Sequence, residues 1–164
     1  MKAAPNDAEL ADLARELSVK LLDHGLVMAA AESCTGGWIA KCCTDIAGSS
    51  AWFERGFVVY SYAAKREMLD VDSMILETGG AVSEAAAMQM AAGAVRESEA
   101  DVSLAVTGIA GPAGGTAAKP VGLVWFAWSV DRTVSTERMI FRGDRDEVRR
   151  LTVAHALKGL ARRL

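Results

Sequence analysis

A short apolar run that ends in small polar residues and two glycines organises this chain. The run covers residues 26–31, and it is followed by the sequence ESCTGG at 32–37 and by a helical pattern from Trp38. This order predicts a strand, a tight turn and a helix, with backbone N–H groups at the helix start directed into the turn. Ser33 in that turn is a candidate nucleophile, with the following amides available to bind an oxyanion. The same pattern is typical of an ordinary strand-to-helix connection in which Ser33 or Thr35 caps the helix.

The rest of the chain alternates between strand and helix patterns. Helices are predicted at 6–24, 37–46, 63–69, 84–97 and from 144 onward, the first and the last beginning with the capping-box spacing of Asn6 with Glu9 and of Asp144 with Glu147. Strands are predicted at 26–31, 52–60, 102–106, 121–130 and 133–141. The last two strands flank a turn at residues 131–132 and should form an antiparallel hairpin. We therefore expect an α/β fold, a three-layer α/β/α arrangement with a mixed, mostly parallel sheet and one antiparallel hairpin, in a single domain over residues 1–164.

Composition excludes several classes of protein. The formal net charge of −3 provides no basic field that would recruit nucleic acid. No apolar run approaches the roughly 20 residues that a membrane helix needs, and the N-terminal residues 1–7 lack the apolar segment of a signal peptide. Cys34, Cys42 and Cys43 are odd in number and lack the spacing of a zinc site, which favours reduced thiols, no metal and a cytoplasmic location.

The shortage of histidine limits the available chemistry. The chain has two histidines: His24 ends the first predicted helix, and His155 lies within the last one. Neither belongs to a turn that would face Ser33, which argues against a Ser-His-Asp triad. A lysine can serve as the base when burial lowers its pKa. Lys65 is the candidate because it follows the strand that ends at Tyr60.

Four polar residues follow the carboxyl ends of predicted strands: Ser33, Tyr60, Lys65 and Thr107. Parallel strands bring these ends to one edge of the sheet, where open α/β sheets bind ligands. Taken singly, an ordinary structural role is favoured for each residue: Lys65 as a solvated helix lysine, Tyr60 as a core residue and Thr107 as a turn residue. Their expected convergence is what favours a site.

Two further segments are candidates for binding an anion. The glycine-rich loop at 108–116 exposes amides that suit a phosphate or carbonyl oxygen, although a lid or a plain turn would have the same composition. Arg145, at the start of the last helix, offers a fork of donors for a phosphate, but it is equally typical of a surface arginine beside Asp144 and Asp146. Cys34 is a rival nucleophile, yet without a nearby histidine it is interpreted as a packed thiol.

At these residues the sequence resembles the CinA C-terminal domain family, whose active members are nicotinamide-nucleotide amidases. The matching blocks span nearly the whole chain in order and are AESCTGG at 31–37, GSS at 48–50, Tyr60-Ser61 with Lys65, GAVS at 80–83, AVTGIAGP at 105–112, KPVG at 119–122 and GDR at 143–145. Larger members carry an additional N-terminal domain, and this chain resembles the amidase domain standing alone.

The resemblance implies hydrolysis of the carboxamide of nicotinamide mononucleotide, a step of pyridine nucleotide recycling, with no cofactor or metal. It implies Ser33 as the nucleophile and Lys65 as its base, assisted by Tyr60. The remaining implied residues bind the oxyanion or the substrate, and they are Cys34, Thr35 and Gly36 through their amides, Thr107, Gly108, and Arg145 at the phosphate.

Two alternatives stay open. The chain could be a catalytically silent nucleotide-binding, competence-associated protein of the same fold. It could also be an amidase for another small amide, because Tyr62 stands where family members often have asparagine. The expected partner is a small nucleotide, and the tryptophan-rich hairpin at 121–141 favours a homodimer.

Overall fold

The computed structural model describes residues 3–164. Its helices are α1 (Asp7–His24), α2 (Trp38–Thr44), α3 (Tyr62–Leu69), α4 (Ser73–Gly79), α5 (Glu84–Arg96) and α6 (Arg145–Ala161). Its strands are β1 (Met28–Glu32), β2 (Phe53–Val58), β3 (Val102–Gly108), β4 (Leu123–Val130) and β5 (Thr133–Ile140). A single 3-10 turn, Ser49–Ala51, leads into β2.

The strands form one five-stranded sheet in the order β2-β1-β3-β4-β5. β1 runs parallel to β2 and β3, whereas β4 runs antiparallel to β3 and β5. The α/β fold with a mixed sheet is confirmed, but the expectation of a mostly parallel sheet is wrong in detail. The connection at 109–122 contains no helix that could carry the chain across the sheet, so β4 returns beside β3 in the opposite direction.

Helices cover both faces of the sheet, which gives the three layers. Buried residues of α1, α2 and α6 pack in one apolar cluster on one face, and those of α3, α4 and α5 pack in a second cluster on the other. The central strand β1 contributes to both. Met28 and Ala30 belong to the first cluster, and Ala29 and Ala31 to the second, as the alternation of side chains along a strand requires.

Local signals placed most helix ends correctly. The predicted capping boxes of α1 and α6 are present, with Asn6 and Asp144 as N-caps. The hairpin turn is confirmed, and both of its central residues, Asp131 and Arg132, have positive φ, as a type I′ turn needs. Helix α4 was not predicted, because its seven residues end in glycine and show no clear period.

Candidate active site

Ser33 lies at the point where β1 leaves the sheet. Its backbone N–H still donates to the carbonyl of Val106 in β3 (3.1 Å), so the sheet fixes the serine before the chain turns. The turn then needs positive φ at Gly36 and Gly37, which glycine adopts without strain. Only 8% of Ser33 is exposed. The serine is therefore held rigidly, with a small opening to solvent.

Lys65 is fully buried and points at this serine. It lies in the first half of α3, whose N-cap Ser61 accepts a hydrogen bond from Ala64. The Lys65 Nζ is 3.0 Å from Ser33 Oγ, 2.7 Å from the carbonyl of Val59 and 3.3 Å from the carbonyl of Tyr60. The serine and the lysine that the sequence singled out are thus in direct contact.

Burial lowers the pKa of Lys65 to about 8, because the charged amine loses its hydration. Its oxygen partners are all uncharged. A neutral amine donates two hydrogen bonds, which the carbonyls of Val59 and Tyr60 accept, and keeps one lone pair for the hydroxyl proton of Ser33. This is the arrangement that a general base for Ser33 needs.

Glu32 is a buried residue to which the sequence reasoning gave no role. Its carboxylate accepts hydrogen bonds from the Thr35 hydroxyl (2.6 Å) and from the amides of Gly37, Ile39 and Ala40 (3.1, 3.0 and 2.8 Å). Burial raises the pKa of Glu32, and the four donors act in the opposite direction. Glu32 thereby caps α2 from the end of β1. The signal available in the sequence was an acidic residue at the end of an apolar strand, just before a helix start.

The amides of the turn differ in whether they are occupied. Within residues 3–164, the N–H groups of Cys34 and Thr35 donate to no other residue, whereas that of Gly36 donates to the carbonyl of Ser33 (3.1 Å). Burial raises the pKa of the Cys34 thiol to about 12, so it stays protonated at neutral pH. The turn therefore offers two unoccupied donors directly after the serine.

Tyr60 connects the buried pair to the surface. Its carbonyl contacts Lys65, while its side chain is 63% exposed. The phenol oxygen lies 3.3 Å from Nη2 of Arg145, and Nη1 of Arg145 donates to the carbonyl of Gly111 (2.7 Å). The Tyr60 hydroxyl is thus directed at Arg145 rather than at the Ser33–Lys65 contact.

Thr107 and Gly108 end the strand next to β1. The Thr107 hydroxyl donates to the carbonyl of Ala81 (2.8 Å) and so holds the segment before α5. A Cβ on Gly108 would lie 2.7 Å from the carbonyl oxygen of Leu123, so this position needs glycine for the close approach of β4. Both residues lie at the carboxyl edge of the sheet, as expected.

An open cleft of about 580 Å³ borders Arg145. Its lining residues are Ala110, Pro112, Val121, Gly143, Asp144, Arg145 and Asp146. The cleft thus lies between the glycine-rich loop and the start of α6, beside the guanidinium that contacts Tyr60. Its size suits a small molecule.

The part of the chain that the structure describes has neither a metal-binding cluster nor a membrane-spanning helix. Among residues 3–164, no three histidine, cysteine, aspartate or glutamate side chains group together in a way that could hold a metal ion. Over the same residues, every helix is too short or too polar to cross a lipid bilayer.

Comparisons with known proteins identify the family and the fold of the chain. The model of the CinA C-terminal domain matches residues 10–164. The nicotinamide-nucleotide amidohydrolase PncC of Escherichia coli K12 is 51% identical over 155 residues, which are 94% of each chain. The crystal structure of the competence/damage inducible protein CihA from Agrobacterium tumefaciens superposes with a TM-score of 0.90 at 47% identity and covers 97% of this chain and 96% of its own. A competence-damaged protein (CinA) superfamily structure from Escherichia coli gives a TM-score of 0.93 at 38% identity, over 100% of this chain and 95% of its own.

Proposed function

The chain belongs to the CinA C-terminal domain family, and from this membership we propose that it is an amidohydrolase that converts nicotinamide mononucleotide into nicotinic acid mononucleotide and ammonia. The observation that carries the proposal is the contact of 3.0 Å between the buried amine of Lys65 and the hydroxyl of Ser33. The substrate is taken from the name of the relative that is 51% identical. Membership of the family supports the reaction class, and the geometry supports the roles of individual residues.

Acylation begins with neutral Lys65. The amine takes the proton of Ser33 as Oγ attacks the carboxamide carbon, and the amides of Cys34 and Thr35 bind the oxygen that becomes negative. The tetrahedral intermediate then collapses. Lys65 returns the proton to the departing nitrogen, which leaves as ammonia, and the nicotinoyl group stays bound to Oγ as an ester.

Deacylation reverses these proton transfers with water. Lys65 takes a proton from a water molecule, whose oxygen attacks the ester carbon. The bond to Ser33 Oγ breaks, Oγ recovers a proton from Lys65, and the product forms as a carboxylic acid, which loses its remaining proton to solvent and leaves as the carboxylate. Each proton transfer to or from Ser33 Oγ passes through one amine, which explains why no histidine is required.

Arg145 is our candidate for binding the phosphate. Its guanidinium has five N–H donors, and the contacts with Gly111 and Tyr60 leave several of them available. The capping box of Asp144 and Glu147 already occupies amides at the start of α6. The acidic side chains of Asp146 and Glu147 in the first turn also disfavour an anion at the helix end, so phosphate binding depends on the guanidinium.

The homodimer, the cytoplasmic location and the place in pyridine nucleotide recycling stay predictions. The same holds for the assignment of residues 1–164 to one amidase domain, although the matched region, 10–164, leaves few residues outside it.

Ammonia release from nicotinamide mononucleotide tests the proposal. Ser33→Ala and Lys65→Ala should each lower kcat by at least about 1,000-fold, since removing a nucleophile or its base disables the whole catalytic unit. Arg66→Ala is the matched control, because Arg66 is the exposed neighbour of Lys65 and should retain kcat within about threefold.

The outcomes separate the alternatives. Binding of the nucleotide without ammonia release would favour a silent binding protein. Release of ammonia from a different amide alone would change the substrate but keep the mechanism. Full turnover by Ser33→Ala would rule out Ser33 as the nucleophile.

A further inference from the structure

Arg149 of α6 forms two hydrogen bonds to the turn that follows Ser33. Its Nε donates to the carbonyl of Cys34 (3.1 Å), and its Nη2 donates to the carbonyl of Thr35 (2.9 Å). These carbonyls belong to consecutive peptides, and the planar fork of a guanidinium can bind both at once, which a lysine cannot do. The contact bridges 114 or more positions of sequence, and no local pattern predicts it.

The two contacts fix the direction of the oxyanion donors. In a trans peptide the C=O and N–H groups point in opposite directions. Holding the Cys34 carbonyl toward Arg149 therefore turns the Thr35 N–H away from Arg149, and that N–H has no partner within residues 3–164. Holding the Thr35 carbonyl likewise directs the Gly36 N–H, which donates to the carbonyl of Ser33. The Ser33 carbonyl belongs to the same peptide as the Cys34 N–H, so this bond in turn directs the Cys34 N–H away from Gly36.

Glu32 holds the same turn through hydrogen-bond donors. The carboxylate binds the Thr35 hydroxyl and three amides at the start of α2, whereas Arg149 binds two carbonyls. The guanidinium is itself held over the ring of Trp38, 5.0 Å from the ring centre. With these donors bound by Glu32 and these acceptors bound by Arg149, the Cys34 and Thr35 amides have no partner in another residue within residues 3–164.

Arg149 makes no ion pair of its own. Among residues 3–164, no carboxylate lies within ion-pair distance of Arg149, whereas its neighbour Arg150 pairs with both Asp7 and Asp146. The buried carboxylate of Glu32, which binds the same turn, opposes the charge of Arg149 at the Cys34 side chain. Arg149 therefore contributes the orientation of the turn rather than a net positive field.

We propose that Arg149 is a positioning residue for the oxyanion site: it orients the Cys34 and Thr35 amides. This inference rests on the proposed function of Ser33 as a nucleophile. It adds a second residue of α6, after Arg145, to the proposed site.

The first test measures kcat and KM for nicotinamide mononucleotide in Arg149→Ala and Arg149→Lys. Removing one oxyanion donor typically lowers kcat by roughly 100- to 1,000-fold. We expect Arg149→Ala to lower kcat by about 100-fold with KM changed less than about threefold, and Arg149→Lys to lower kcat less.

Chemical rescue and the pH profile add two further readouts. Added methylguanidinium should partly restore kcat of Arg149→Ala and leave Arg149→Lys unaffected. The apparent pKa of the pH profile should not move, because Arg149 does not contact Lys65.

Arg150→Ala is the matched control. Arg150 also lies over Trp38, 4.9 Å from the ring centre, but its hydrogen bonds go to Pro5, Asp7 and Asp146 and none reaches the turn. We expect its kcat to stay within about threefold of the parent even if stability falls. A loss of kcat in Arg150→Ala as large as that in Arg149→Ala would overturn the inference.

A second measurement separates this inference from the amidase assignment. A fluorophosphonate reagent phosphonylates an activated serine: Oγ bonds to phosphorus, fluoride leaves, and the Ser33 proton goes to Lys65. The reaction uses the same oxyanion donors but no nucleotide. We expect Arg149→Ala to slow labelling of Ser33 by about the same factor as kcat.

Each result has a separate meaning. Labelling of the parent without ammonia release would contradict only the substrate. Equal labelling rates for the parent and Arg149→Ala would overturn the inference alone. Absence of Ser33 labelling in the parent would contradict the nucleophile, and the inference would fall with it. If Arg149→Ala does not fold, Arg149→Lys against Arg150→Ala gives the same comparison.

Discussion

The two ends of the proposed site are built differently. At the catalytic end, Ser33, Lys65 and Glu32 are buried, and each is held by backbone groups of the sheet or of the next helix. At the recognition end, Tyr60 is 63% exposed and Arg145 is also exposed, beside an open cleft. Tyr60 joins the ends through its carbonyl and its phenol. In the proposed mechanism, the fold sets the chemistry in advance, whereas recognition depends on a few surface side chains.

This difference has an electrostatic basis. Water near the recognition end screens charges, so a phosphate contact there should contribute moderately and weaken with salt. At the catalytic end the loss of hydration shifts the ionisation of Lys65 itself. Substitutions at the two ends should therefore act on different kinetic parameters, which the following predictions examine from the largest expected effect to the smallest.

The largest effect should come from pH acting on Lys65. With a pKa lowered to about 8, the amine is protonated and inactive below that pH. We expect kcat/KM to rise tenfold per pH unit up to about pH 8 and then to level off, so that activity at pH 6 is roughly 100-fold below the plateau. A rate profile of ammonia release from pH 5.5 to 10 measures this.

Cys34→Ser provides the control for that profile. The Cys34 thiol has a pKa raised to about 12 by burial, so removing it should leave the pH midpoint unchanged. A midpoint near 10 in the parent would mean that Lys65 behaves as an exposed lysine, and the contrast between the two ends would be lost.

The next effect should come from Arg145→Ala at the recognition end. Loss of charged hydrogen bonds to a phosphate, each worth about 1.5–3 kcal/mol, should raise KM by roughly 10- to 100-fold while kcat changes only a few-fold. The increase should shrink at high ionic strength. Arg142→Ala serves as the control, since Arg142 is exposed and makes no hydrogen bond within residues 3–164. A fall in kcat without a rise in KM would place Arg145 with the catalytic end instead.

The fold was largely predictable because its signals are local. The capping boxes at Asn6 and Asp144 predicted the starts of two helices, and the turn at 131–132 predicted the hairpin. The direction of β4 was not predictable in this way, because it depends on whether the glycine-rich connection before it crosses the sheet. Helix α4 was missed because its residues, 73–79, are few and end in glycine.

The site was predictable only where each residue follows a strand end. That rule led to Ser33, Lys65 and Thr107, and the contact between Ser33 and Lys65 is present in the structure. The rule did not lead to Arg149, because the contact of Arg149 with the turn depends on how α6 packs against α2. Glu32 was missed too: an acidic residue just before a helix start is consistent with a cap, but only the folded turn brings four donors to its carboxylate.

A third prediction measures how firmly the catalytic end is held. Glu32→Gln replaces one acceptor oxygen by an NH2 group that faces an amide, which leaves a buried donor unpaired. We expect the free energy of unfolding to fall by about 1–3 kcal/mol and Tm to fall by roughly 3–10 °C. Glu9→Gln is the control: Glu9 closes the exposed capping box of α1, and its loss should shift the free energy by less than about 0.5 kcal/mol. Equal shifts in both variants would show that burial of Glu32 adds nothing.

The smallest effect is expected at Tyr62, which stands near the boundary between the two ends. Its phenol oxygen accepts a hydrogen bond from the Ala81 amide (3.2 Å), and its side chain is exposed. Two other contacts hold the same segment: Thr107 binds the Ala81 carbonyl, and Lys119 binds the Gly79 carbonyl. Because the segment stays held without Tyr62, the loss of one exposed hydrogen bond should have a small effect.

We therefore expect Tyr62→Phe and Tyr62→Asn to change KM for nicotinamide mononucleotide by less than about fivefold and to leave kcat unchanged. Tyr62→Phe removes the hydroxyl and keeps the ring, whereas Tyr62→Asn removes the ring and opens space. If Tyr62→Asn raised the preference for this nucleotide over other amides while Tyr62→Phe did not, ring size would set specificity. A drop in kcat as large as that from losing an oxyanion donor would mean that the catalytic end extends to α3's first residue, and that the division between a fixed and an adaptable end is drawn in the wrong place.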